Sequence, residues 1–178
     1  FCAGVGPRMT EVVGEVADGF LVHPFHTPEF LRQVTLPALE RGLERGARAR
    51  GDFEIGAQLI LALGDDEESL QAAKNGARAQ ISFYGSTPAY RPVLECHGCG
   101  DLQTELHRLS KEGRWLEMAG RIDDSLLERI AVVGGRAEAA AKIRARCAGL
   151  VDRVSLIAPF SPDPGLWADV VRGIKADL

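Results

Sequence analysis

Short apolar runs of strand length recur between amphipathic helical stretches, and this alternation constrains the fold of the chain more than any other feature. The run Phe53–Leu63 is the clearest case, bounded by Gly51-Asp52 and Gly64-Asp65. A largely apolar strand of this kind needs cover on both faces, and it belongs to a parallel sheet flanked by helices. Phe20-Leu21-Val22, Ala131–Gly135 and Val151–Ala158 repeat the pattern, and Phe1–Gly4 reads as the end of a strand. Alternating strands and helices with short buried strands specify parallel β/α architecture.

The helices predicted between these strands have recognisable ends. Arg8–Ala17 places Met9, Val12, Val13 and Val16 at helical spacing, and Asp18-Gly19 breaks it. Thr27 is a natural N-cap with Pro28 at the first helical position, opening a helix predicted to reach about Ala49. Pro37 lies inside that stretch and is expected to kink or interrupt it. Asp65 or Asp66 caps the next helix, which runs to about Tyr84. From Gly85 to about Ile130 the rhythm changes to short amphipathic pieces separated by Pro88, Pro92, Gly98, Gly100 and Gly113. This is read as a helical insertion before the alternation resumes, with further helices near 136–150 and 164–175.

A closed eight-stranded barrel takes about 250 residues, and this sequence has 178. The strands amount to about four β/α units, so the expectation is half of such a barrel, a single partial domain spanning residues 1–178. The apolar start Phe-Cys-Ala-Gly-Val-Gly agrees. It reads as the end of a buried strand, and hence as the C-terminal part of something longer.

Composition narrows the function classes. The net charge of -4 lacks the basic excess of a nucleic-acid-binding surface. No apolar run approaches the roughly 18 residues of a membrane span. Arg outnumbers Lys 17 to 4 without changing the charge. The four cysteines are too scattered for a disulfide scaffold. Cys96-His97-Gly98-Cys99 lacks a second paired ligand set for zinc, so it reads as an incidental thiol pair and no metal is expected. These features fit a reducing, cytoplasmic compartment.

Two strand ends carry candidate chemistry. In Gly4-Val5-Gly6-Pro7-Arg8 the glycines allow a close turn and Pro7 starts a helix. The first-turn N–H groups, the helix dipole and the Arg8 guanidinium together suit a phosphate. The same residues equally suit a tight turn with a solvated arginine, and both readings stand on spacing alone. His23 and His26 follow the Phe20–Val22 strand, where parallel β/α folds place their active sites. Imidazoles there can donate hydrogen bonds or move protons near neutral pH, although most loop histidines are structural. Arg129, Arg136 and Arg153 read as surface charges, and the carboxylates of 65–68 and 123–124 as helix caps.

The segment AGVGPRMTEVVGEVADGFLVHPF closely resembles the bacterial luciferase-like oxidoreductases, in the branch that uses the deazaflavin coenzyme F-420. TPEFLRQVTLPALERGL, FYGSTPAYRPVLE, LSKEGRW and the VVGG and GLVDRVSLIAP segments are similar to the same branch. The resemblance implies the C-terminal half of a luciferase-like (β/α)8 TIM barrel whose first four strands lie outside this sequence. It implies hydride transfer between coenzyme F-420 and an organic small molecule, with FMN as the alternative cofactor. The family's pattern puts Gly4, Val5, Gly6, Pro7 and Arg8 against the cofactor phosphate. It puts His23, His26 and Arg129 toward substrate, Arg129 matching a position that binds a substrate phosphate in a related sugar-phosphate dehydrogenase. The rival expectation is a non-catalytic half-barrel whose open edges lead it to homodimerise or to pair with a missing N-terminal half.

Overall fold

The computed structural model describes residues 1–159 and 164–176. Five parallel strands, β1 (Cys2–Ala3), β2 (Gly19–Val22), β3 (Glu54–Leu63), β4 (Ala131–Gly134) and β5 (Arg153–Ile157), form one sheet. Gly56 and Ala57 of β3 pair with Leu21 and Val22 of β2 and also with Arg153 and Val154 of β5. A residue meets one neighbour on each side, so β2 and β5 flank β3. Ile60 pairs with both Ala131 and Ile157, which puts β4 on the β2 side, beyond the point where β2 ends. The path β1-β2-β3-β5 is thus a continuous run of four parallel strands, and β4 is a short addition at the tip of β3. The predicted helical insertion lies between β3 and β5.

Helices α1 (Pro7–Val16) and α3 (Leu36–Arg45) cover one face of the sheet. Val13, Leu39 and Leu43 pack there with Phe20, Val22, Ile55 and Ala57. The two helices approach closely because Gly14 and Gly42 face each other's backbones. A Cβ on Gly14 would lie 2.5 Å from the Leu39 oxygen, and one on Gly42 2.0 Å from the Glu11 oxygen. Along the same face, α9 (Arg136–Cys147) and α10 (Pro164–Lys175) pack on Leu59, Leu61 and Leu63.

Alternate residues of a strand point to opposite faces, and Ile60 and Ala62 join a different core. It is built from α4 (Glu67–Gly85), α5 (Arg91–Glu95), α6 (Gly100–Lys111), α7 (Trp115–Gly120) and α8 (Asp124–Ile130), with Ile81, Leu94, Leu106, Leu109, Met118 and Leu127 fully buried. By packing, α4 belongs with the inserted helices that follow it. This layer covers only the C-terminal half of its face. Over the other half Leu21 is 47% exposed and Gln58 is exposed, beside an exposed Phe1.

The predicted helix ends are largely as expected. Thr27 caps α2 (Pro28–Phe30) by accepting from the Phe30 N–H at 3.1 Å. Asp66, not Asp65, caps α4, accepting from the Ser69 N–H at 2.7 Å. Asp123 caps α8. Pro37 acts through a π-helical turn at Leu31–Thr35, in which Leu36 N–H bonds the Leu31 carbonyl five residues back. The helix then ends at Arg45, earlier than the predicted Ala49. Ala47 adopts a left-handed φ of 51°, and Arg48 turns back to bond Asp18 at 2.9 Å and the Ala17 carbonyl.

Candidate active site

The exit of β1 forms the first wall. Gly6 is the N-cap of α1 with φ 82° and ψ 155°, a backbone conformation that glycine adopts without strain. Pro7 follows at the first helical position, the first turn carries no acidic side chain, and no side chain caps it. Thr10 bonds the Gly6 carbonyl through both its N–H and its hydroxyl, at 3.1 and 3.0 Å, holding the turn closed beneath. Val5, Gly6, Pro7 and Arg8 are exposed. The positive end of a ten-residue helix therefore faces outward with its first-turn donors unclaimed by side chains.

The exit of β2 forms the second wall and is tightly organised. Phe25 N–H donates to His23 Nδ1 at 3.1 Å. His26 Nδ1 lies 2.8 Å from the His23 carbonyl. Tyr90, from the turn at Pro88–Tyr90 before α5, stacks on the His23 ring with centroids 4.4 Å apart and an interplanar angle of 21°. Tyr84 meets the same ring edge-on at 4.7 Å. Burial lowers the His23 pKa, and it drives His26 down to about 4, helped by the nearby Arg146 guanidinium. Both rings are neutral at neutral pH.

These two walls meet. Gly4, Val5, Gly6, Pro7, Thr10, His23 and His26 line one pocket of about 60 Å³, completed by Phe25, Phe30, Val34, Thr35 and Tyr90. Ligand sites usually enclose a few hundred Å³, so these residues form one side of a site. Arg8 is exposed outside the pocket lining. Arg129 is also outside it, in a separate surface hollow with Glu29, Ser125 and Arg146. There its guanidinium reaches His97 Nδ1 at 3.4 Å, and His97 Nε2 reaches Thr27 Oγ1 at 2.9 Å. Arg136 pairs with Asp65 at 2.6 Å and Arg153 with Glu54 at 2.9 Å, both as surface ion pairs.

Three contributors were missed in the sequence. Tyr90 and Tyr84 reach His23 across more than 60 residues of chain, and their only sequence signal is the FYGSTPAY segment already noted for its resemblance. Arg146 lies half-buried behind the site. Its guanidinium bonds the Arg129 and Ile130 carbonyls that end α8, the latter at 2.8 Å, and reaches the His26 carbonyl at 3.5 Å. Burial lowers its pKa to about 10. Among the described residues no cluster of His, Cys, Asp and Glu is placed to hold a metal. No described helix is long and apolar enough to cross a membrane.

A family model described as luciferase-like monooxygenase matches residues 1–153. The chain belongs to the luciferase-like monooxygenase family. Among its relatives in this family, an uncharacterised protein of Mycobacterium tuberculosis is 54% identical over 154 residues, covering 86% of this chain and 45% of that protein. A 5,10-methylenetetrahydromethanopterin reductase of Archaeoglobus fulgidus is 25% identical over 165 residues, covering 89% of this chain and 47% of that enzyme. The fold is that of the coenzyme F-420-dependent tetrahydromethanopterin reductase of Methanopyrus kandleri, with a TM-score of 0.73 at 22% identity over 96% of this chain and 48% of that one. An F-420-dependent secondary alcohol dehydrogenase, solved with an F-420–acetone adduct, gives 0.64 at 15% identity over 98% of this chain and 47% of that one. The chain spans about half the length of the relatives it matches. This family membership places the luciferase-like barrel strands on the path β1-β2-β3-β5.

Proposed function

We propose that this chain supplies the C-terminal part of a coenzyme F-420-dependent oxidoreductase acting on an organic small molecule. The observation that carries the reading is the shared pocket: the open N-terminus of α1 and the two histidines at the exit of β2 lie on one wall, in a family with F-420-dependent members. Gly4, Val5 and Gly6 would hold the cofactor phosphate through backbone N–H groups, Pro7 would open the helix whose dipole faces it, and Arg8 would add charge at the rim. The fit rests on an N-terminus that no carboxylate or side-chain cap competes for. Bound there, the deazaflavin supplies hydride chemistry. The chain supplies position, a dry aromatic wall and two neutral imidazoles, and FMN would meet the same phosphate seat.

The open half of the sheet face, with Leu21, Gln58 and Phe1, is read as the seat of the remaining barrel strands. Its exposure also favours the second reading, a non-catalytic half-barrel that pairs with another chain. Fluorescence titration with oxidised coenzyme F-420 separates the two. Saturable binding that weakens about tenfold or more in Arg8→Glu, a loss of about 1.4 kcal/mol, supports the cofactor reading. A folded chain without binding overturns it for this chain alone.

A further inference from the structure

The two histidines are not interchangeable, and the hydrogen bonds around them say how they differ. A backbone N–H can only donate, so His23 Nδ1, which receives the Phe25 N–H, must be the bare nitrogen. The neutral ring then carries its proton on Nε2. A carbonyl can only accept, so His26 Nδ1, which meets the His23 carbonyl, must carry the proton. In the neutral ring Nε2 of His26 is therefore bare. Neither Nε2 has a hydrogen-bond partner among the described residues, and both rings line the same pocket. The pair thus offers one donor and one acceptor in a pocket whose lining includes the apolar side chains Phe25, Phe30 and Val34, the Tyr90 ring, Thr10 and Thr35.

We infer that His23 and His26 form a neutral donor–acceptor pair that binds an uncharged hydroxyl group of the substrate, His23 Nε2–H donating to its oxygen and His26 Nε2 accepting its proton in a hydrogen bond. A hydroxyl is the smallest group that accepts and donates at once, and the pocket is small and apolar around it. Between the two Nε2 atoms a carboxylate or phosphate would meet a bare nitrogen and no side-chain cation, so a neutral hydroxyl fits the pair better than an anion does. Tyr90 acts as a positioning residue. Its stack against His23, with Tyr84 at the edge, keeps the ring in the plane that serves Phe25 N–H. Identifying the occupant as the substrate rests on the deazaflavin reading above.

Long-range ¹H–¹⁵N spectroscopy of the labelled full chain reads ring tautomers directly, without cofactor. The expected result at pH 7 is an Nε2–H tautomer for His23 and an Nδ1–H tautomer for His26. Cyclohexanol should then move both Nε2 resonances, and acetate should move neither. His26→Asn keeps a donor near the Nδ1 position and lacks the acceptor, so its cyclohexanol affinity should fall about tenfold or more. His26→Gln, with an amide near the Nε2 position, should retain more of it. Either ring in the opposite tautomer, a cationic ring at pH 7, or a response to acetate equal to that to cyclohexanol overturns the inference. So do Nε2 resonances that cyclohexanol leaves unmoved. Failure of coenzyme F-420 to bind a chain that passes these tests removes the cofactor reading and leaves the hydroxyl site standing.

Discussion

One face of the sheet is treated in two ways along its length. Over the C-terminal half, Ile60 and Ala62 lie under a layer of five helices whose core-facing side chains, Ile81, Leu94, Leu106, Leu109, Met118 and Leu127, are fully buried. Over the N-terminal half of the same face, Leu21 and Gln58 stand open beside Phe1. The candidate site sits near this border, where the strand exits of β1 and β2 meet the turn that carries Tyr90. The lesson is that the inserted helices make the second wall of the site independently of whatever covers the open half. That wall is rigid because it belongs to a closed core. The first turn of α1 is open because no side chain caps it.

Truncations should separate the two halves most sharply. Ile81→Ala or Leu106→Ala empties a fully buried position and should cost about 2–5 kcal/mol in chemical denaturation. The same measurement on Leu21→Ala should show well under about 1 kcal/mol. A Leu21→Ala cost as large as that of Ile81→Ala would mean that the open face is covered in solution.

The second expected effect concerns acid. His26 titrates near 4 when folded and near 6.5 when unfolded, so between these values the unfolded state binds more protons. Stability is then complete above about 6.5 and falls as pH drops toward 4, by an amount on the order of 3 kcal/mol. Denaturation midpoints measured across this range should slope accordingly in the wild type and flatten in His26→Asn. Equal slopes in the two proteins would take His26 out of the buried wall.

A smaller effect tests the open seat. Gly6→Ala places a side chain at φ 82° and ψ 155° with no atom within 4 Å of its Cβ, so the cost is backbone strain alone, about 1–3 kcal/mol. Thermal unfolding should detect it, while the tautomers of His23 and His26 remain unchanged. The smallest effect is expected for Leu21→Glu, within about 0.5 kcal/mol for an exposed position. Sedimentation of this variant beside the wild type would expose any self-association through that face.

Much of the local structure was legible because its causes are local. Thr27-Pro28 announces a helix start through one side-chain oxygen and one fixed φ, and Asp66 does the same for α4. The interruption around Pro37 follows from a missing N–H, although its form as a π turn depends on how Leu31 and Leu36 bond. The alternation of apolar runs gave the parallel sheet, and Gly6-Pro7 gave the start of α1. Neighbourhoods were less legible. Arg129 has the charge for a phosphate, yet it faces His97 and Thr27 in another hollow. Arg146 was not singled out in the sequence, and folding half-buries it against the end of α8.

The sequence by itself determined the elements, their parallel order and the residue types at the two strand exits, because capping, φ restriction and hydrophobic period act within a few residues. Only the tertiary structure decided which face α4 covers, that Tyr90 stacks on His23, and which nitrogen of each histidine carries the proton. Those outcomes depend on contacts between residues far apart in the chain. A ring nitrogen carries the proton when its partner is an acceptor and is bare when its partner is a donor, and that partner is set by packing.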